Sequence, residues 1–240
     1  LYRVIDKYHD YPRIVLEGRK ILGTPFENDR KNIQLMTTRN CQLRCKYCPV
    51  LKSGEDAEMQ TLLRSVDLLM QSKQKSLRID FTGGEPLLAF DNIVETVNHA
   101  KTLALLKGKD VSFYMVTNIM DLSKERVEFI KKEGFQLELS IDGDEQTHNI
   151  NKIAADKSQN PYRTFIEKLK LLEDVDKLAV VVVTPQTVKK LYDNFKHVIG
   201  LGFRKADINY GLGIYWDSES ISELFSQFGR ILEDFGVKFR

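Results

Sequence analysis

Three cysteines fall within eight residues of this chain, in the stretch Cys41-Gln42-Leu43-Arg44-Cys45-Lys46-Tyr47-Cys48, and the rest of its 240 residues contain none. Gathering every thiol into one C-x3-C-x2-C segment points to a site rather than to scattered core cysteines. Three neighbouring thiolates suit a soft metal centre. A four-iron cubane ordinarily takes four cysteines, so one held by Cys41, Cys45 and Cys48 would keep an iron open to an outside ligand. Two duller readings stay open on spacing alone. Structural zinc wants four ligands, often from paired C-x2-C units, but there is no second pair, and His9, His99, His148 and His197 show no zinc-finger spacing. The thiols could also be inert; a disulfide would use two and strand the third.

The second candidate stretch is Gly83-Gly84-Glu85-Pro86, which follows a strand-like run at 77–82. Glycines let backbone carbonyls come close to a ligand, and Pro86 fixes the turn that follows. Alone, this is also the composition of an ordinary strand–loop–helix junction. Together, C-x3-C-x-Y-C after one strand and G-G-E-P after the next resemble the radical S-adenosylmethionine (radical SAM) superfamily.

That resemblance implies an enzyme with a [4Fe–4S] cluster on Cys41, Cys45 and Cys48. Its open iron would be chelated by the amino and carboxylate groups of S-adenosylmethionine. One electron would then break the sulfur–C5′ bond, giving a 5′-deoxyadenosyl radical that removes a substrate hydrogen. Tyr47 stands where the family usually has an aromatic residue beside the adenine; packing on the barrel rim is the alternative, and the two are compatible. Gly83, Gly84 and Glu85 would meet the methionyl ammonium.

Thr117-Asn118 resembles the ribose-contacting T-N-G, with Ile119 replacing the glycine, so this loop is expected to differ in shape; a turn-forming Thr-Asn pair is the alternative. Ser140-Ile141-Asp142-Gly143 is similar to the S-I-D-G of the subgroup containing anaerobic sulfatase-maturating enzymes and SPASM/twitch-type peptide maturases. There H-D-x-x-R often follows, with its arginine on the cofactor carboxylate. This chain reads His148-Asn149-Ile150-Asn151-Lys152, so Lys152 takes the arginine's place, keeping the charge and losing the bidentate fork. A solvent-facing Lys152 and a plain turn aspartate at Asp142 are the alternatives.

The resemblance further implies a peptide or protein substrate and an electron donor such as a flavodoxin or ferredoxin. A small-molecule enzyme of cofactor biosynthesis and a non-catalytic metal-binding module are the competing readings.

These groups need a scaffold. The chain is 42% hydrophobic and 29% charged, enough for a sizeable core, and its net charge of +2 shows no bias toward nucleic acid or membrane surfaces. No apolar run approaches the roughly 18 residues of a membrane span, so the expected setting is cytoplasmic. From residue 32 strands and helices alternate. Strands are expected at 33–38, 77–82, 111–117, 136–141, 178–184 and 206–210. Helices are expected at 59–70, 91–106, 123–132, 162–172, 187–199 and 218–235, with Asp91, Asn92 and Ser123 as caps and Gly134 as a stop.

Strict alternation argues for a parallel sheet with right-handed crossovers, an α/β fold whose chemistry gathers at the carboxyl ends of the strands. The resemblance makes it a partial, TIM-like (β/α)6 barrel. Residues 144–160 read as a long polar connection, and 211–216, with the only tryptophan, as a junction or substrate mouth. Residues 1–31 read as an extension containing a β-hairpin, and 32–240 as the core domain. The missing initial methionine suggests a trimmed or incomplete chain; with no cysteine after Cys48 a C-terminal auxiliary region is expected to be absent, either cut away or dispensed with by a member that works with one cluster.

Overall fold

A computed structural model describes residues 29–236; the expected N-terminal hairpin lies outside them. Strands β1 (Asn32–Thr38), β2 (Ser76–Gly83), β3 (Asp110–Thr117), β4 (Gln136–Ser140), β5 (Lys177–Val183) and β6 (Ala206–Tyr210) form one sheet in chain order. Every neighbouring pair is parallel. β1 and β6 do not pair, so the barrel stays open. Between and after them run α1 (Met59–Leu69), α2 (Phe90–Lys107), α3 (Lys124–Lys132), α4 (Glu145–Asn151), α5 (Pro161–Leu169), α6 (Leu191–Gly200) and α7 (Ser218–Phe235).

Side-chain alternation separates the two faces of the sheet. Leu77, Ile79 and Phe81 of β2, Phe113 and Met115 of β3, and Leu137 and Leu139 of β4 are buried in one apolar core. Phe81, Phe113 and Phe135 cluster there with ring centroids 5.3–6.4 Å apart. The helices meet this core with apolar stripes at helical spacing, Leu62, Val66 and Leu69 of α1 and Ile93, Val97, Ala100 and Ala104 of α2. Several of the intervening strand positions are polar. Arg78 pairs with Asp80 at 2.6 Å, and the Tyr114 hydroxyl donates to Glu138 at 2.6 Å. β5 is buried along most of its length, as its valine run predicts.

Two local expectations are corrected. Asp91 and Asn92 do not cap α2. A 3-10 turn at Pro86–Ala89, capped by Glu85, precedes the helix, placing both residues inside its first turn. The polar stretch 144–160 is not one connection, because α4 lies within it, capped by Asp144 accepting from the Thr147 N–H at 2.7 Å. Its buried side chains are Thr147, His148 and Asn151, so apolar periodicity gives no sign of it. Ser123 does cap α3, and Gly134 follows that helix with φ +66°. No helix among the described residues is long and apolar enough to cross a membrane.

Candidate functional site

Parallel strands deliver all their carboxyl-terminal loops to one rim, where every candidate stretch sits. The cysteine loop leaves β1 and is clamped by the segment after α4. The Arg44 N–H donates to the Ile153 carbonyl at 2.7 Å, Lys46 to Asn151 at 3.0 Å, and Ala155 to Gln42 at 2.8 Å. This short antiparallel pairing, centred on Leu43 and Ala154, carries Lys152 toward the thiols.

On the other side the Gly84 N–H donates to the Thr38 carbonyl at 2.7 Å and Glu85 to Asn40 at 2.8 Å. A Cβ on Gly83 would lie 2.3 Å from the Thr38 oxygen, and one on Gly84 would lie 2.0 Å from the Asn40 oxygen. These glycines are therefore demanded by the chain's own close approach to the cysteine loop, whatever they offer a ligand.

Glu85 points inward and is 1% exposed. Its carboxylate accepts from the Thr117 hydroxyl at 2.6 Å, the Asn118 N–H at 2.8 Å and the Leu87 N–H at 3.1 Å. Burial pushes it up to about 7 against these bonds, since no cation compensates it. It latches the end of β2 to the end of β3. Thr117 in turn accepts from the Ile119 N–H, and Asn118 from the Met120 N–H, each at 2.9 Å. Ile119 is fully buried with φ +53°. Ile119 thus occupies the left-handed region that ordinarily favours glycine. Burial of its side chain offsets a conformational cost of roughly 1–2 kcal/mol.

The third wall is charged. Asp142, 1% exposed, accepts from the Tyr47 hydroxyl at 2.9 Å and the Val182 N–H at 3.1 Å, and lies 3.4 Å from the Lys152 ammonium. Lys152 also donates to the Tyr47 hydroxyl, and its ammonium is 5.1 Å from the tyrosine ring centroid. Lys152 is therefore buried rather than solvent-facing, and Asp142 is an ion-pair partner rather than a free turn residue. Burial raises Asp142 despite the lysine, and burial also raises Tyr47. His148, packed against Tyr162 and Phe165, accepts weakly from the Asp142 N–H at 3.4 Å. Burial and the nearby Lys152 hold it well below its usual range, and thus neutral.

Cys41, Cys45, Cys48, Tyr47, Gly83, Gly84, Glu85, Thr117, Asn118, Ser140 and Lys152 line one cleft of about 180 Å³. Asp142 sits behind Tyr47 and Lys152. Sequence reasoning missed Lys52, which also lines the cleft with its ammonium 3.2 Å from the Cys48 sulfur; a lone lysine four residues past the last cysteine belongs to no pattern.

All three thiols are free. Burial pushes Cys41 up to about 11 and raises Cys45, so both stay protonated and unreactive until a metal displaces the proton. Among the described residues no three His, Cys, Asp or Glu side chains converge on a single ion. Three free thiols bordering one cleft are a donor set that fits a cubane with one iron left open to an outside ligand.

The family model for the radical SAM superfamily matches residues 35–198. The radical SAM cyclopropyl synthase TigE of Paramaledivibacter caminithermalis is 23% identical over 179 residues, 67% of this chain and 36% of that protein. GTP 3′,8-cyclase of Corynebacterium glutamicum is 28% identical over 144 residues, 56% of this chain and 37% of the cyclase. The solved structure of native anSMEcpe with bound AdoMet and Kp18Cys peptide superposes with a TM-score of 0.76 at 19% identity, covering 85% of this chain and 60% of that one. This chain spans between about a third and a half of the length of the curated relatives it matches.

Proposed function

The chain belongs to the radical SAM superfamily, and we propose that it is the catalytic core of an enzyme that modifies a peptide or protein side chain. The family uses a [4Fe–4S] cluster and S-adenosylmethionine; when bound, these supply reductive cleavage of the sulfonium and hydrogen-atom abstraction from the substrate. The observation that carries the reading is that three thiols, the Gly83–Glu85 wall and a buried lysine border a single cleft.

Within that cleft Cys41, Cys45 and Cys48 hold the cluster. The backbone of Gly83, Gly84 and Glu85 receives the methionyl ammonium, while the Glu85 carboxylate fixes that backbone from behind. Lys152 pairs with the methionyl carboxylate, its ammonium kept in place by Asp142 and Tyr47. Thr117 and Asn118 serve the ribose, and Ser140 and the Tyr47 ring serve the remaining face of the nucleoside. A one-electron donor such as a flavodoxin or ferredoxin, and a cytoplasmic setting, complete the reading. The peptide substrate is supported by the S-I-D-G segment and by the peptide bound in the anSMEcpe structure.

A small-molecule substrate is the second reading, favoured by the likeness to GTP 3′,8-cyclase. The test is 5′-deoxyadenosine formation by anaerobically reconstituted, dithionite-reduced protein, with peptides or GTP added. Stimulation by peptides is expected. Stimulation by GTP alone would transfer the proposal to the small-molecule class.

A further inference from the structure

Four basic side chains surround the cysteine loop, and three are committed elsewhere. The Arg44 guanidinium donates to the carbonyls of Cys41, at 2.5 Å, and Leu43, at 3.0 Å. The Lys46 ammonium donates to Gln186 at 3.2 Å. Lys152 is neutralised by Asp142. Lys52 alone reaches a sulfur, that of Cys48 at 3.2 Å, and among the described residues it pairs with no carboxylate. Glu55, the nearest acid along its loop, is taken by Arg39 at 3.4 Å and Ser53 at 3.0 Å.

The Lys52 loop is held at both ends. It starts at Cys48 and returns to β1 through the Arg39 N–H donating to Glu55 at 2.8 Å and Ala57 donating to Thr37 at 2.9 Å.

We propose that Lys52 is a tuning residue that raises the reduction potential of the cluster by hydrogen-bonding the Cys48 sulfur with an unneutralised ammonium. This rests on the radical SAM reading above. Reduction adds one electron, taken from a one-electron donor such as a reduced flavodoxin-type flavin or dithionite, and moves no proton; Lys52 stays an ammonium in both states. The reduced form is more negative by one charge, so a positive donor on a ligand sulfur stabilises it more than the oxidised form. Hydrogen bonds to cluster sulfurs and local charge are established determinants of such potentials. Lys52 is partly exposed, and solvent reduces its effect to about tenfold in the redox equilibrium, or about 59 mV for a one-electron couple.

The test is a potentiometric titration of the reconstituted protein, followed by electron paramagnetic resonance without S-adenosylmethionine, on wild type, K52M, K52Q and K52R. Both neutral variants should keep wild-type iron content and titrate about tenfold harder to reduce, with K52R close to wild type. A neutral variant within about twofold of wild type would overturn the proposal, as would a K52R shift equal to that of K52M, which would assign the effect to shape rather than charge. Failure of wild type to form a [4Fe–4S] cluster would instead overturn the underlying reading.

Discussion

Two carboxylates, each 1% exposed, are tied to the cleft, Glu85 in its lining and Asp142 behind Tyr47 and Lys152, and they are held in opposite ways. Glu85 is surrounded by neutral donors, a hydroxyl and two backbone N–H groups, all from its own or a neighbouring strand end. Asp142 is held by a lysine and a phenol that themselves face the cleft. Burial raises both, so neither is comfortable as an anion. The difference lies in the partners. Glu85 can lose its partners only by unlatching β2 from β3, which makes it architecture. Asp142 instead shares its partners with the cleft, and in the proposed role Lys152 reaches a ligand carboxylate with its ammonium still held by Asp142 and Tyr47.

Substitutions can break this contrast. The largest effect is expected on the charged wall. Lys152→Met strands a buried aspartate and should cost about 3–5 kcal/mol in urea unfolding, with at least about tenfold weaker S-adenosylmethionine binding by calorimetry. Adding Asp142→Asn should restore most of the stability and none of the binding; recovery of both would remove Lys152 from the cofactor site. Glu85→Ala, which orphans three buried donors, should cost about 3 kcal/mol.

The pH dependence sharpens the comparison. The ordinary value for Glu85 is 4.5 and burial lifts it to about 7, so the folded chain keeps a proton that the unfolded chain has released. The stability drawn from this site is fully present below about 4.5 and is lost as pH rises toward 7. Glu85→Gln should flatten that part of the stability–pH curve, and an unchanged slope would assign it to other groups. The smallest effect is expected at Ile119. Ile119→Gly loses a buried side chain, ordinarily about 2–5 kcal/mol, but relieves a left-handed isoleucine, so a net loss of about 2 kcal/mol or less is expected in the same unfolding assay.

Much of the fold was legible in the sequence because its signals are local. The valine run at 180–183 announces a buried strand, and helix stripes such as Leu62, Val66 and Leu69 announce their own faces. α4 was not legible because it buries threonine, histidine and asparagine instead of apolar residues. At the site, the cysteines and Gly83–Glu85 stand out by composition, but what they do to one another does not. The partners of Glu85 at the end of β3 and just beyond it lie 32 and 33 residues away, and Tyr47 meets Asp142 across 95. Such pairings depend on register between strand ends, which residue types do not encode. Ile119 shows the reverse case, a residue type that disfavours the left-handed region yet sits in it, fully buried.

Every role proposed for the cleft depends on a cluster held by Cys41, Cys45 and Cys48 that cleaves S-adenosylmethionine. The most direct test is anaerobic reconstitution with iron and sulfide, followed by a 5′-deoxyadenosine assay after dithionite reduction, on wild type and Cys45→Ala. The account predicts about four irons and 5′-deoxyadenosine for wild type, and loss of both for the variant. Tightly bound zinc in place of iron, or equal cleavage by Cys45→Ala, would contradict it.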